Sequence, residues 1–179
     1  MSITQNGFQV STRQFLSALC FALLALALFN PAAASAQQFK QIKLSDKQVQ
    51  GFIAAFKDVN KLYEGANPDK PDPKLDAQAA AIAKKNGFAG LEEFDSVAAN
   101  VSLIMSGIDP QTKKFTEPPD LIKQEIEALK ADKTMPEAEK KQHLPELEAA
   151  LKAAKPIQFK ENIALVLKYF DQILPLVHG

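Results

Sequence analysis

The chain has 179 residues, with 21 basic and 21 acidic side chains and therefore a formal net charge of zero. Arginine occurs once, at Arg13, and cysteine once, at Cys20. Proteins hold phosphate backbones with guanidinium groups and an excess of positive charge, so this composition argues against a nucleic-acid partner.

The first 36 residues have the three parts of a cleavable secretory signal peptide. Arg13 is followed by an uncharged run of 15 residues, Phe15–Phe29, and then by the small residues Ala34-Ser35-Ala36. A permanent membrane span needs roughly 20 apolar residues, so the run is short for an anchor. We therefore predict cleavage before Gln37, or two residues earlier after Ala32-Ala33-Ala34, together with a periplasmic or secreted location and no membrane association after cleavage. An uncleaved anchor is the alternative.

Removing residues 1–36 leaves 143 residues (179 − 36), with 20 lysines, 21 acidic residues and no cysteine. The net charge becomes −1, and no disulfide can form, so stability must come from packing. This length suits a single helical domain over residues 37–179. Two halves, 45–107 and 116–179, are an alternative division.

The first predicted helix has the clearest sequence pattern. Residues 37–44 are polar and are expected to be a mobile entry segment. Ser45 and Gln48 have the spacing of a capping box. Six apolar residues follow at helical spacing, which predicts a helix up to about Gly65: Val49, Phe52, Ile53, Phe56, Val59 and Tyr63.

Two shorter helices follow a proline-rich connection. Asp72 can cap a helix whose first residue is Pro73, and the alanine-rich segment continues to Lys85 before Asn86-Gly87. A third helix is predicted from about Leu91 to Ser106, and Gly107 follows it.

The second part of the chain predicts up to three more helices after a loop over residues 108–118. One helix covers about 119–131, and another begins at a second capping box at Thr134. Pro145 is expected to kink or break that helix near His143. The last helix covers about 160–174. Since no segment convincingly resembles a strand, the predicted fold is an all-α bundle of five or six helices.

Candidate catalytic and metal-binding residues are scarce. A hydroxyl nucleophile needs a positioned base, but the only histidines are His143 and His178. Zinc sites use three or four ligands, whereas His143 has only Glu146 and Glu148 nearby in sequence. The carboxylates of residues 69, 72 and 76 lack the glycine and final glutamate of an EF-hand loop. We predict no catalytic residue, no metal site and no cofactor.

Phe115 is the one large apolar residue of the predicted loop that lies outside a helical stripe. Such a residue usually packs beneath its own loop as an anchor. A ring left exposed there would be a contact residue for a partner. Phe115 is therefore the only residue that the sequence offers as a candidate contact.

The segment Leu44-Ser45-Asp46-Lys47-Gln48 resembles the Leu-Thr-x-x-Gln motif of the Spy/CpxP family of periplasmic stress chaperones, with serine in place of threonine. A looser similarity covers residues 44–109, where the order of cap, aromatic helix, alanine-rich helix and the segment 87–94 resembles small exported bacterial domains of unknown function. These resemblances imply a helical fold and export, and they imply no activity.

The composition and the predicted fold favour an exported, non-catalytic binding or interaction protein whose partner is not specified by the sequence. A periplasmic carrier of a small hydrophobic ligand is the second hypothesis, and it predicts an apolar internal cavity. A hydrolase with an unrecognised site is the third, and it predicts polar side chains that converge in a cleft.

Overall fold

The computed structural model describes residues 40–67, 70 and 72–177. The predicted signal peptide, Asp69 and His178 lie outside these residues. The described part contains seven helices: α1 (Asp46–Tyr63), α2 (Pro73–Lys85), α3 (Leu91–Met105), α4 (Pro118–Ala131), α5 (Glu137–Ala153), α6 (Glu161–Lys168) and α7 (Phe170–Val177). It has no strand, and its one isolated bridge joins Ile108 to Phe115. The all-α prediction is confirmed.

The first two helices begin where their capping residues predict. The Ser45 hydroxyl accepts a hydrogen bond from the Gln48 amide, and the Gln48 side chain accepts one from the Ser45 amide, which completes the capping box. The Asp72 side chain accepts from the amides of Lys74 and Leu75, with Pro73 at the first helical position. These bonds satisfy amide groups that have no partner within a helix.

The later helices depart from the prediction in three places. α5 begins at Glu137 instead of Thr134, because the Thr134 hydroxyl donates to Asp132 and does not cap the helix. α5 also continues through Pro145, so of the predicted kink or break the break is absent. The predicted last helix is two helices, since the chain turns at Tyr169, whose amide bonds to the Val166 carbonyl three residues back. Because of this turn, the described residues contain seven helices instead of the predicted five or six.

The main core joins elements from both ends of the described chain. α1, α2 and α3 pack together, and α6 and α7 pack against them. Phe52 is fully buried at the centre, 4.9 Å from the Phe56 ring and 6.0 Å from the Phe94 ring. Gly51 of α1 lies very close to the backbone at the end of α2. A Cβ added at Gly51 would be 2.6 Å from the Asn86 carbonyl oxygen. The helix contact at this point therefore depends on glycine.

α4 and α5 form a helical hairpin that packs chiefly on itself. Residues 116–156 are all described, and none of them belongs to the main core cluster. Ile126 and Leu147 are the buried apolar centre of the hairpin, one on each helix. At its base, the Glu117 carboxylate accepts a hydrogen bond from the Ile157 amide and pairs with the Lys160 ammonium group.

Among the described residues, no helix is both long enough and apolar enough to cross a membrane.

Candidate functional site: an extended segment held by two buried asparagines

The segment before α1, residues 40–44, runs along the bundle and is called the strap below. Its Leu44 side chain lies in the core, and Ile42 packs partly buried against the same core. Residues 40–44 are therefore packed against the bundle, which corrects the expectation of an unpacked polar entry segment. Alternation of apolar and polar residues over so short a stretch gave no clear signal of burial.

Two asparagine side chains hold the strap by its backbone, and together they are called the asparagine ladder. Asn100 on α3 accepts from the Ile42 amide at 3.0 Å and donates to the Lys40 carbonyl at 3.1 Å. Asn162 on α6 accepts from the Leu44 amide at 2.9 Å and donates to the Ile42 carbonyl at 2.8 Å. The pattern repeats every two residues, as hydrogen bonds do along the edge of a β-strand.

The ladder is set deep in the fold. Asn100 is 3% exposed and Asn162 is 2% exposed. The amide group of Asn100 also donates to the Ser96 carbonyl on its own helix at 2.8 Å, which fixes its orientation. A buried amide is stable only when its hydrogen bonds are made. In the described part of the chain, no buried side-chain nitrogen or oxygen lacks a partner.

The outward side of the strap makes a second set of contacts. Gln41 donates to the Pro156 carbonyl at 3.0 Å and accepts from the Gln158 amide at 2.7 Å. The exposed Lys43 ammonium group lies 3.0 Å from the Glu161 carboxylate. The bundle therefore holds the strap through its backbone, the apolar side chains of Ile42 and Leu44, the Gln41 amide and the Lys43 charge.

Sequence reasoning missed both asparagines, although a signal for each was present. Asn100 lies three residues after Val97, and Asn162 lies four residues before Val166, so each asparagine shares the buried face of its helix. A polar residue on a buried face needs a partner. Only the fold identifies that partner as a backbone segment 58 to 120 residues away.

A polar network fastens α1 to α6 and α7 next to the strap. The Tyr169 hydroxyl lies 2.9 Å and 3.0 Å from the two Asp46 carboxylate oxygens and accepts from the Gln50 amide at 2.8 Å. Lys168 pairs with the same carboxylate. Hydrogen bonds from Lys168 and Tyr169 lower the pKa of Asp46, and the bond to Asp46 raises the pKa of Lys168. These contacts are structural, since they link helices to one another.

A separate pocket of about 330 Å³ lies at the connection between α1 and α2. Its lining includes Tyr63, Lys70, Asp72, Leu75 and Asp76. The Tyr63 hydroxyl donates to Asp76 at 2.8 Å. Burial, together with this carboxylate, raises the pKa of Tyr63 to about 12. The phenol stays protonated at neutral pH, so it acts here as a hydrogen-bond donor and not as a base.

The nearby Asp95 carboxyl group has a raised pKa because it is partly desolvated and close to Asp76. Lys70, Asp72 and Asp76 of the pocket lining are exposed, so the pocket lies at the surface and is not the internal cavity expected of a hydrophobic-ligand carrier.

Phe115, the predicted contact candidate, is half-buried and packs against the main core. Its ring lies directly over Gly107, where an added Cβ would be 2.5 Å from a ring carbon. Backbone bonds between residues 107 and 116 close the loop around it. In the structure Phe115 anchors this loop, and contact with a partner through its exposed edge stays a prediction.

The histidine considered for chemistry lies on the hairpin. His143 Nδ1 is 3.8 Å from Glu146 Oε2, and both side chains are about half exposed. No group of three or more histidine, cysteine or carboxylate side chains within the described residues is arranged to hold a metal ion. Among the described residues, Glu146 is the one carboxylate within 4.0 Å of the His143 imidazole nitrogens.

Comparisons with protein-family models, with curated proteins and with solved structures find no match for this chain.

Proposed function

We propose that this chain is an exported, non-catalytic interaction protein whose α4–α5 hairpin contacts a partner protein. The observation that carries the proposal is the separation of the hairpin from the main core. An element that adds little to the packing of the bundle is available for contacts with another molecule. Helical hairpins present such surfaces on two adjacent helices.

The surface of the hairpin suits a reversible interaction. Several of its apolar side chains stay only half-buried, among them Leu121, Leu129, Leu144 and Leu151. Exposed lysines and glutamates surround them. A small apolar centre with a charged rim is the usual composition of a non-obligate protein interface.

The use of polar groups in the bundle supports a non-catalytic role. The deeply buried Asn100 and Asn162 side chains bond to the strap. The hydroxyl of Tyr169 and the carboxylate of Asp46 bond to each other. A hydrolase would instead direct such groups toward a substrate.

The interaction is tested by charge reversal on the hairpin. Glu127→Lys with Glu148→Lys changes two exposed hairpin positions, and Asp58→Lys with Glu64→Lys makes the same change of charge on and beside α1. Each protein is cross-linked in its native compartment, and its partners are identified by mass spectrometry. We expect the hairpin variant, and not the control, to lose the partner. Equal capture by both variants would contradict the proposal.

Export is tested by the intact mass of the protein recovered from outside the cytoplasm. The sequence Ala34-Ser35-Ala36 after an apolar run supports cleavage. We expect a mature chain beginning at Gln37, with Ser35 as the alternative start. A full-length, membrane-embedded species as the main product would contradict this part of the proposal.

A further inference from the structure

The strap site is the surface formed by Asn100, Asn162 and residues 156–158, and in this structure the chain's own residues 40–44 occupy it. The ladder bonds only to backbone groups of the strap, at every second residue. Hydrogen bonds to the backbone do not depend on side-chain identity. The same two asparagines would therefore pair with any extended segment in the same register.

The side-chain contacts define which segments would fit. Leu44 enters the core and Ile42 lies partly buried two residues before it, so the site takes apolar side chains at alternate positions. Lys43, between them, points outward and pairs with Glu161 at 3.0 Å. The strap itself thus gives the preferred pattern, which is an apolar residue, a basic residue and a second apolar residue.

The way the strap is attached allows another extended segment to replace it in the site. The inference rests on the proposed cleavage after Ala36, which leaves only three residues before the strap; at its other end the strap continues into Ser45, the cap of α1. The ladder residues belong to α3 and α6, which are packed against each other without the strap. A short segment at the end of a packed unit opens by local unfolding more readily than a central helix does. The two asparagine side chains, which both donate to and accept from the strap, would remain in place while the strap is absent.

We infer that the strap site is a binding site for an extended polypeptide segment of a partner protein, with an apolar–basic–apolar sequence, and that the strap competes with this segment. Recognition would follow the β-strand-addition mode, in which main-chain bonds provide affinity and alternate side chains provide selectivity. The site lies outside the α4–α5 hairpin, so the inference does not depend on the proposed role of that hairpin.

The first experiment measures opening in the mature wild-type chain by hydrogen exchange. The amide hydrogens of Ile42 and Leu44 are compared with those of Phe52 and Val101 in the core. We expect the strap amides to exchange at least about ten-fold faster, because they open locally. Equal rates would mean that the strap leaves only when the whole protein unfolds, and this result would overturn the inference.

The second experiment uses a labelled synthetic peptide with the sequence of residues 37–45 as the probe. The receptor is the full mature chain with Ile42→Ser and Leu44→Ser, which weakens its own strap. We expect this variant to bind the probe at least about ten-fold more tightly than wild type. Adding Asn162→Ala should abolish the gain, whereas adding Asn60→Ala, an exposed asparagine of α1, should preserve it.

Register and stoichiometry provide the last checks. A peptide in which the residues equivalent to Ile42 and Lys43 are interchanged loses the alternation and should bind at least about ten-fold more weakly. Native mass measurement should give one chain per probe. Equal binding of both peptides, or wild-type chains that pair by exchanging their own straps, would overturn the assignment to a partner segment.

Discussion

Replacement of Asn162 by alanine removes both hydrogen bonds of one step of the ladder. The Leu44 amide and the Ile42 carbonyl lose their side-chain partner. An unpaired buried backbone group costs about 1–3 kcal/mol. If the strap stayed in place, the free energy of unfolding would fall by about 2–6 kcal/mol.

Release of the strap sets an upper limit on that loss, because the variant can avoid unpaired buried groups by letting the strap leave. The ladder makes four bonds to the strap and Gln41 makes two more, and together these contribute about 6 kcal/mol. Burial of Leu44 and part of Ile42 adds about 3 kcal/mol. Ordering residues 40–44 costs about 7–8 kcal/mol. Docking is therefore worth only about 1–2 kcal/mol, and a chain without the ladder would release the strap.

We thus expect Asn162→Ala to lower the free energy of unfolding by about 1–2 kcal/mol in urea titrations. Asn100→Ala combined with it should add less than about 0.5 kcal/mol, because both substitutions release the same segment. The Leu44 amide should lose its protection against hydrogen exchange in each variant. Asn60→Ala, at an exposed position, should stay within about 0.5 kcal/mol of wild type.

A single-variant loss above about 4 kcal/mol, or additive losses in the double variant, would refute this reasoning. Either result would mean that the strap is bound much more tightly than its contacts and ordering cost imply.

Three further predictions concern the core, the hairpin and the polar network. Phe52→Ala should lower the free energy of unfolding by about 3–5 kcal/mol, because the fully buried ring contacts other rings; a loss below about 1 kcal/mol would contradict its central position. His143→Gln should change stability by less than about 0.5 kcal/mol and leave metal content unchanged, as measured by urea unfolding and elemental analysis; stoichiometric zinc that is lost in the variant would contradict this. Asp46→Asn should destabilise the protein at neutral pH. Since the folded pKa of Asp46 lies below its ordinary value of 3.8, the stability contributed by ionised Asp46 is present above pH 3.8 and is lost as the pH falls through the folded pKa. The difference from wild type should disappear in that range when unfolding is followed against pH, and a constant difference would show that the network does not act through the Asp46 charge.

Local sequence signals predicted most helix starts and ends. Capping depends on side chains and amides a few residues apart, so Ser45 and Asp72 could be assigned from spacing alone. Gly65 and Gly87 follow helices with positive φ values of 79° and 93°, as expected for residues without a Cβ. The same reasoning was wrong at Thr134, where a competing hydrogen bond to Asp132 replaced the cap. At Pro145 the helix is not broken, and a kink there stays a prediction.

The sequence by itself determined the fold class, because apolar residues at a helical period can be buried only if the segment forms a helix. It also determined the scarcity of imidazole and thiol groups in residues 37–179. The position of the strap was decided only by the tertiary structure. Asn100 and Asn162 carry no information about their partners until α3 and α6 pack together and place both amides beside residues 40–44. Hydrogen bonds over such sequence separations depend on the three-dimensional path of the chain, and no local pattern specifies that path.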